Sequence, residues 1–150
     1  MKNEGKILDF GVSNFTPSQI GLLETSVKVE SNQLEFSLTA NEAMKNGGWD
    51  DCIVHNRMAM AWSPLGSYYR DGNKLVKRMK KVIKQLKKKY RVNASQLLLA
   101  WTFMHPAGIH PVVGTTNPKR LTDAMNAINI DLELEDWFLL LAASMGEDVP

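Results

Sequence analysis

Apolar and polar positions alternate along the chain between two kinds of pattern. Four short apolar runs end in turn-forming residues and predict strands: "ILDFGVSN" (7–14), "ESNQLEF" (30–36), "MAMAWSP" (58–64) and "IHPVVGT" (109–115). The segments between them carry helical spacing. "TPSQIGLLETS" offers Thr16 as N-cap and Pro17 at the first helical position, with Ile20 and Leu23 facing inward and Val27 as a third candidate. "WDDCIVHN" predicts a shorter helix after a Gly-Gly break, begun by Asp50 and Asp51. From 74 to 90 the apolar residues Leu75, Val76, Met79, Val82, Ile83, Leu86 and Tyr90 form one stripe. "NASQLLLAWTFMH", capped by Asn93, is another helix, and 118–128 and 133–144 supply two more.

The order is β-α-β-α-β-α-β-α, and the strands lack strict alternation. That predicts an α/β fold with a parallel sheet covered by helices. Ligands of parallel sheets bind at the carboxyl ends of the strands. The residues there are Ser13-Asn14, Gln33 to Glu35, Ser63-Pro64-Leu65-Gly66 and Gly114-Thr115-Thr116.

At 150 residues and 44% apolar, the chain can bury one core and is one domain by length. Its formal charge of +2 is uneven: residues 74–91 hold ten Lys or Arg and no acid, and the other eight basic residues face all sixteen acids. Cys52 is the only cysteine, which excludes an internal disulfide and a cysteine zinc site, and it reads as a buried small hydrophobe. His55, His105 and His110 have no metal-ligand spacing and read as structural or exposed. No apolar run is long enough for a membrane span, and a cytoplasmic protein is expected.

The stretch "PVVGTTNPKR" (111–120) raises a chemical question. Asn117 is placed as an N-cap with Pro118 behind it, yet the first turn holds Lys119 and Arg120 where acids would suit the helix dipole. A bound anion would explain this, and so would an ordinary loop and cap. Trp62 reads locally as a core aromatic, Ser13-Asn14 as a strand terminus, and Gln33 as an amide that needs partners if buried.

"GKILDFGVSNFTPSQIGLL", "SNQLEFS", "MAWSPLG" and "PVVGTTNPKRLTDA", in this order and spacing, resemble the aldo-keto reductases, and "WFLLLAASMGEDVP" resembles a bacterial subgroup of predicted reductases. The resemblance runs through essentially the whole chain. It implies strands five to eight of a (β/α)8 barrel, a fold that usually takes about 250 residues or more. The expected fold is thus a parallel (βα)4 half-barrel with C-terminal helices over residues 1–150. The family's catalytic Asp, Tyr, Lys and His belong to its second to fourth strands, so the resemblance implies no activity for these residues alone.

The resemblance also implies a nicotinamide nucleotide site. Ser13, Asn14 and Gln33 match the carboxamide partners, and Trp62 matches the aromatic, usually Tyr, stacked on the nicotinamide. Ser63, Leu65 and Gly66 match the loop over the pyrophosphate, and Thr115, Thr116 and Arg120 match the grip on the 2′-phosphate. NADPH is therefore expected rather than NADH. Gly114 stands where many members carry Lys, which weakens that discrimination.

Tyr68, Tyr69, Lys74 and His55 show no spacing that supports a replacement acid. The rival reading is a non-catalytic module binding nucleic acid or another anionic partner through residues 74–91. Against it, the stripe of that helix lacks Trp and Phe, and a solvated lysine face accounts for the charge. A half-barrel leaves two strand edges and an apolar face open. A homodimer or a separately encoded N-terminal half is expected to close them.

Overall fold

The computed structural model describes every residue except 3, 71, 73 and 147–150. Its elements run β1 (Gly11–Ser13), α1 (Pro17–Leu23), β2 (Ser31–Glu35), α2 (Gly48–Val54), β3 (Met58–Trp62), α3 (Lys74–Tyr90), α4 (Ala94–Phe103), β4 (His110–Pro111), α5 (Pro118–Asn126) and α6 (Leu134–Met145). The four strands form one parallel sheet in the order β1-β2-β3-β4, with Ser13 opposite Gln33, Glu35 opposite Trp62 and Ala61 opposite Pro111. This is the expected α/β half-barrel.

The helix starts follow from their caps. Thr16 and Asn93 each accept from the backbone three residues on, while Gln19 and Gln96 reach back to the cap amide, and Asn117 accepts from the Arg120 amide.

The edge strands are shorter than the apolar runs that predicted them. Residues 7–10 lie outside the regular strand and pair only through Phe10 O, which accepts from the Glu30 amide at 2.8 Å. The last run keeps only His110–Pro111 as regular strand, plus a 2.8 Å bond from the Val112 amide to Ala61 O. Each has a strand neighbour on one side only, so half of its backbone groups have no ladder to join.

Successive strand residues face opposite ways. Asn32, Leu34, Ala59 and Ala61 are buried beneath the helices. Phe36, just past β2, starts an aromatic column there: it meets Trp49 edge-on with centroids 5.3 Å apart and stacks on Trp101 at 5.1 Å. Trp101 in turn stacks on Trp137 at 5.1 Å, and each indole donates to the other's backbone carbonyl, clasping α4 to α6. The stripe of α3 buries Val76, Met79, Ile83 and Leu86, and the helix packs chiefly on α4 and α6.

The other face of the sheet is open, but it is not the apolar face that was expected. Ser13, Ser31, Gln33, Glu35 and His110 surround a single apolar row, Met58, Met60 and Trp62. Polar side chains on β1 and β2 can stay hydrated there, so the face demands less cover than an apolar one.

At the amino end of the strands, Arg57 ties three segments together. Its side chain is 3% exposed, donates twice to the Glu24 carboxylate at 2.6 and 2.7 Å, and reaches Asp51 at 2.9 Å and Val29 O at 2.6 Å. Bonds from Arg57 first, and from the Val29 amide second, hold the Glu24 carboxyl at about 2. Asp51, expected only to start α2, is thus also an internal counterion. Burial, aided by the Asp51 charge, pushes the Cys52 thiol up to about 11 and keeps it inert.

Candidate functional site

The carboxyl ends of β1, β2 and β3 bring four of the singled-out residues into one group. The Gln33 carbonyl accepts from Ser13 Oγ at 2.9 Å and from the Asn14 amide at 3.0 Å. The Trp62 indole donates to Asn14 Oδ1 at 2.9 Å. That bond crosses β2, because β1 and β3 are not neighbours.

Trp62 is half-buried on the open face, whereas Trp49, Trp101 and Trp137 occupy the core. The local reading of Trp62 as a core aromatic is therefore corrected. It lies at the carboxyl end of β3 on the face away from the helices, and its N–H is fixed by a polar partner.

Two turns at this rim carry non-glycine residues in the left-handed region, Asn14 at φ 58° and Ser63 at φ 53°. Asn tolerates that conformation better than most residues; Ser63 carries a cost that the surrounding loop must offset. The Ser63 turn closes with a bond from the Gly66 amide to Ser63 O at 2.8 Å. Gly66 has φ 53°, and a Cβ there would lie 2.0 Å from Thr39 Oγ1. Leu65 turns its side chain toward the core.

Ser37 and Thr39 were not singled out in the sequence, yet they fix this loop. Thr39 Oγ1 accepts from the Ser67 amide at 2.9 Å and lies 3.2 Å from Ser37 Oγ. Their signal was the hydroxyl pair directly after the buried Phe36, in "FSLT".

The third group follows β4. Thr115 Oγ1 accepts from the Asn117 amide at 3.2 Å, and Asn117 Oδ1 accepts from the Arg120 amide at 3.2 Å. These are loop and cap functions. Thr116 and Arg120 are exposed, and the Arg120 guanidinium has no partner among the described residues. Gly114 is exposed, with no atom within 4 Å of where a Cβ would stand. Among the described residues no hydrogen bond joins this group to the Ser13–Trp62 group.

Tyr68 and Tyr69 face the helices instead. Tyr68 lies under Lys80, and the Tyr69 hydroxyl is 2.7 Å from Ser95 Oγ. Burial raises Tyr68 and, with the Asp136 bond second, Tyr90, so neither is tuned as an acid. His55 and His110 hold backbone carbonyls through Nδ1, and His105 accepts from the Ala107 amide at 3.2 Å. No described helix is long and apolar enough to cross a membrane.

Residues 1–143 match the aldo/keto reductase family. The chain is 32% identical over 155 residues to an uncharacterized oxidoreductase, YcsN, of Bacillus subtilis, covering 100% of this chain and 52% of that protein. It is 33% identical over 147 residues to a 6-dehydroglucose reductase of Agrobacterium fabrum, covering 97% and 49% respectively. A third relative, 30% identical over 139 residues, is the NADPH-dependent alpha-keto amide reductase of Saccharomyces cerevisiae, with 88% of this chain and 42% of that one covered. The fold superposes on the thermostable aldo-keto reductase Tm1743 with a TM-score of 0.84 at 19% identity, over 95% of this chain and 50% of the other. The chain thus spans about half the length of the curated relatives it matches, and it belongs to the aldo/keto reductase family.

Proposed function

We propose that this chain is the nucleotide-binding half of an NADPH-dependent carbonyl reductase. The observation that carries the reading is the Trp62–Asn14 bond, which fixes a half-exposed aromatic plane beside a set of free amide and hydroxyl groups.

The donors and acceptors left over fit a nicotinamide carboxamide. Asn14 Oδ1 is taken by Trp62, so Asn14 Nδ2 remains to donate to the carboxamide oxygen. The Ser13 hydroxyl proton is taken by Gln33 O, so its oxygen remains to accept from the carboxamide NH2. The Gln33 side chain can do either. Trp62 would hold the ring by stacking, and Ser63, Leu65 and Gly66 would pass the pyrophosphate. Thr116 and the unpaired Arg120 would hold the 2′-phosphate, with Thr115 beside them. When bound, the reduced nicotinamide supplies a hydride to a carbonyl carbon. The proton donor and the substrate pocket belong to the other half of the family's barrel, so these residues alone bind nucleotide without turnover.

The outer edges of β1 and β4 have no strand partner among the described residues. A second copy, or a separate N-terminal half, would cover them in the working protein, which we place in the cytoplasm. Sedimentation showing a stable folded species of 16.9 kDa at micromolar concentration would contradict the two-copy form.

Tryptophan fluorescence tests the site itself. NADPH should quench the emission saturably, and Trp62→Phe should remove most of that quenching while the three core tryptophans remain. Undiminished quenching in Trp62→Phe would place the nucleotide elsewhere.

A further inference from the structure

Between Lys74 and Tyr90, α3 carries nine cations and no acid, and the fold divides them. Arg78 and Lys89 hold α6: Arg78 Nε donates to Ala143 O at 3.1 Å, and Lys89 Nζ spans Glu133 at 2.6 Å and Asp136 at 2.7 Å. Lys80, Lys84, Lys87 and Lys88 are used differently. With Tyr68 they line a cleft of about 310 Å³ between the loop after β3 and the side of α3. Lys80 Nζ stands 5.8 Å from the Tyr68 ring centroid. Among the described residues none of these four ammoniums is in an ion pair, and no carboxylate lines the cleft.

Such a grouping costs helix stability. Lys80, Lys84 and Lys88 are at successive i, i+4 positions, where like charges repel. From Lys80 to Lys88 the helix rises about 12 Å, so successive lysines of this row are rooted about 6 Å apart along the axis, less than the screening length of about 8 Å at physiological salt. A concave wall of one sign focuses its field on whatever enters.

The lining also says what kind of anion suits it. It offers ammonium donors and one phenol, with no amide, guanidinium fork or exposed ring to read a sugar or stack a base. Tyr68 is only 7% exposed. The apolar stripe of α3 is already buried, so nothing is left to enter a membrane. Lysine, a compact point charge on a flexible stem, suits a dense, symmetrical anion.

We propose that the cleft of Tyr68, Lys80, Lys84, Lys87 and Lys88 binds a compact oligophosphate, an anion of several contiguous phosphates recognised by charge, separately from the nucleotide site around Trp62 and Arg120.

Inorganic tripolyphosphate, titrated calorimetrically into the full chain, is the direct probe. Saturable binding that weakens tenfold or more in K84Q/K88Q is expected. K74Q/K77Q, which removes the same charge from the same helix outside the cleft, should stay within twofold of the parent, as should R120A. Circular dichroism should show unchanged helix content in all of them, because every substituted side chain is exposed. Equal weakening by the two double variants would reduce the effect to net charge and overturn the proposal. So would absence of binding, loss of binding in R120A, or a single-stranded DNA affinity that exceeds that for tripolyphosphate and grows with length.

Discussion

Trp62 and Asn14 are joined by a 2.9 Å hydrogen bond that spans the whole width of β2. One residue ends β3 and the other follows β1 at φ 58°, so the bond fixes the mouth of the sheet at its carboxyl end. The half-buried aromatic plane is thereby held in one orientation without a ligand, and pre-organisation of this kind reduces the ordering cost of binding.

Asn14 can be dissected with two substitutions. Asn14→Gly removes the acceptor and keeps the left-handed turn without strain. Asn14→Ala removes the acceptor but keeps a Cβ in the left-handed region without the polar side chain that eases it there, a conformation that costs an ordinary residue about 1–2 kcal/mol. Both should weaken NADPH, and thermal melts should place only the alanine variant well below the parent. Equal NADPH affinity in parent and glycine variants would mean that the Trp62 bond does not serve the site.

Gly114 has open space where a Cβ would stand and no positive φ. Gly114→Lys should therefore fold normally and add a cation beside Thr115 and Arg120. A charge-assisted contact is worth about 1.5–3 kcal/mol, so NADPH affinity should rise tenfold or more while NADH affinity stays unchanged. Competition binding of the two nucleotides reads the ratio directly.

Arg57 governs the acid response. Bonds from Arg57 and then the Val29 amide hold Glu24 at about 2, below its ordinary 4.5. A carboxyl depressed on folding contributes stability above its unfolded pKa and loses it as pH falls through the folded one. Chemical denaturation should therefore show this contribution intact at pH 6 and declining from about pH 5 toward pH 2. Arg57→Leu strands the buried Asp51 carboxylate, which should cost about 3–5 kcal/mol at neutral pH, and it releases Glu24 from its partner, which should flatten the acid profile.

Much of this was readable from local chemistry. Thr16, Asn93 and Asn117 were legible as caps because a cap is a relation between residues three apart, and all three accept the expected amide. The stripe of α3 was legible because periodicity reports burial whatever the partner, although its partners, α4 and α6, were not. At β2 the sequence pointed to Gln33 as the amide in need of partners. The fully buried amide is its neighbour Asn32, which donates to Phe15 O at 2.9 Å. A strand shows opposite faces to adjacent residues, and nothing in "SNQLE" says which face the helices cover. The Arg57 network links positions 33 apart and leaves no local trace, while the hydroxyls of "FSLT" are visible in the sequence but the loop that Thr39 grips, 28 residues on, is not.

If this half-barrel holds NADPH by its 2′-phosphate through Arg120, paired calorimetric titrations of NADPH and NADH into the parent and Arg120→Ala will separate the two nucleotides. Loss of one charge-assisted hydrogen bond costs about 1.5–3 kcal/mol. The variant should therefore bind NADPH at least tenfold more weakly than the parent and bind NADH unchanged. Equal weakening of both nucleotides, or no binding of either by the parent chain, would mean that Arg120 does not hold a 2′-phosphate.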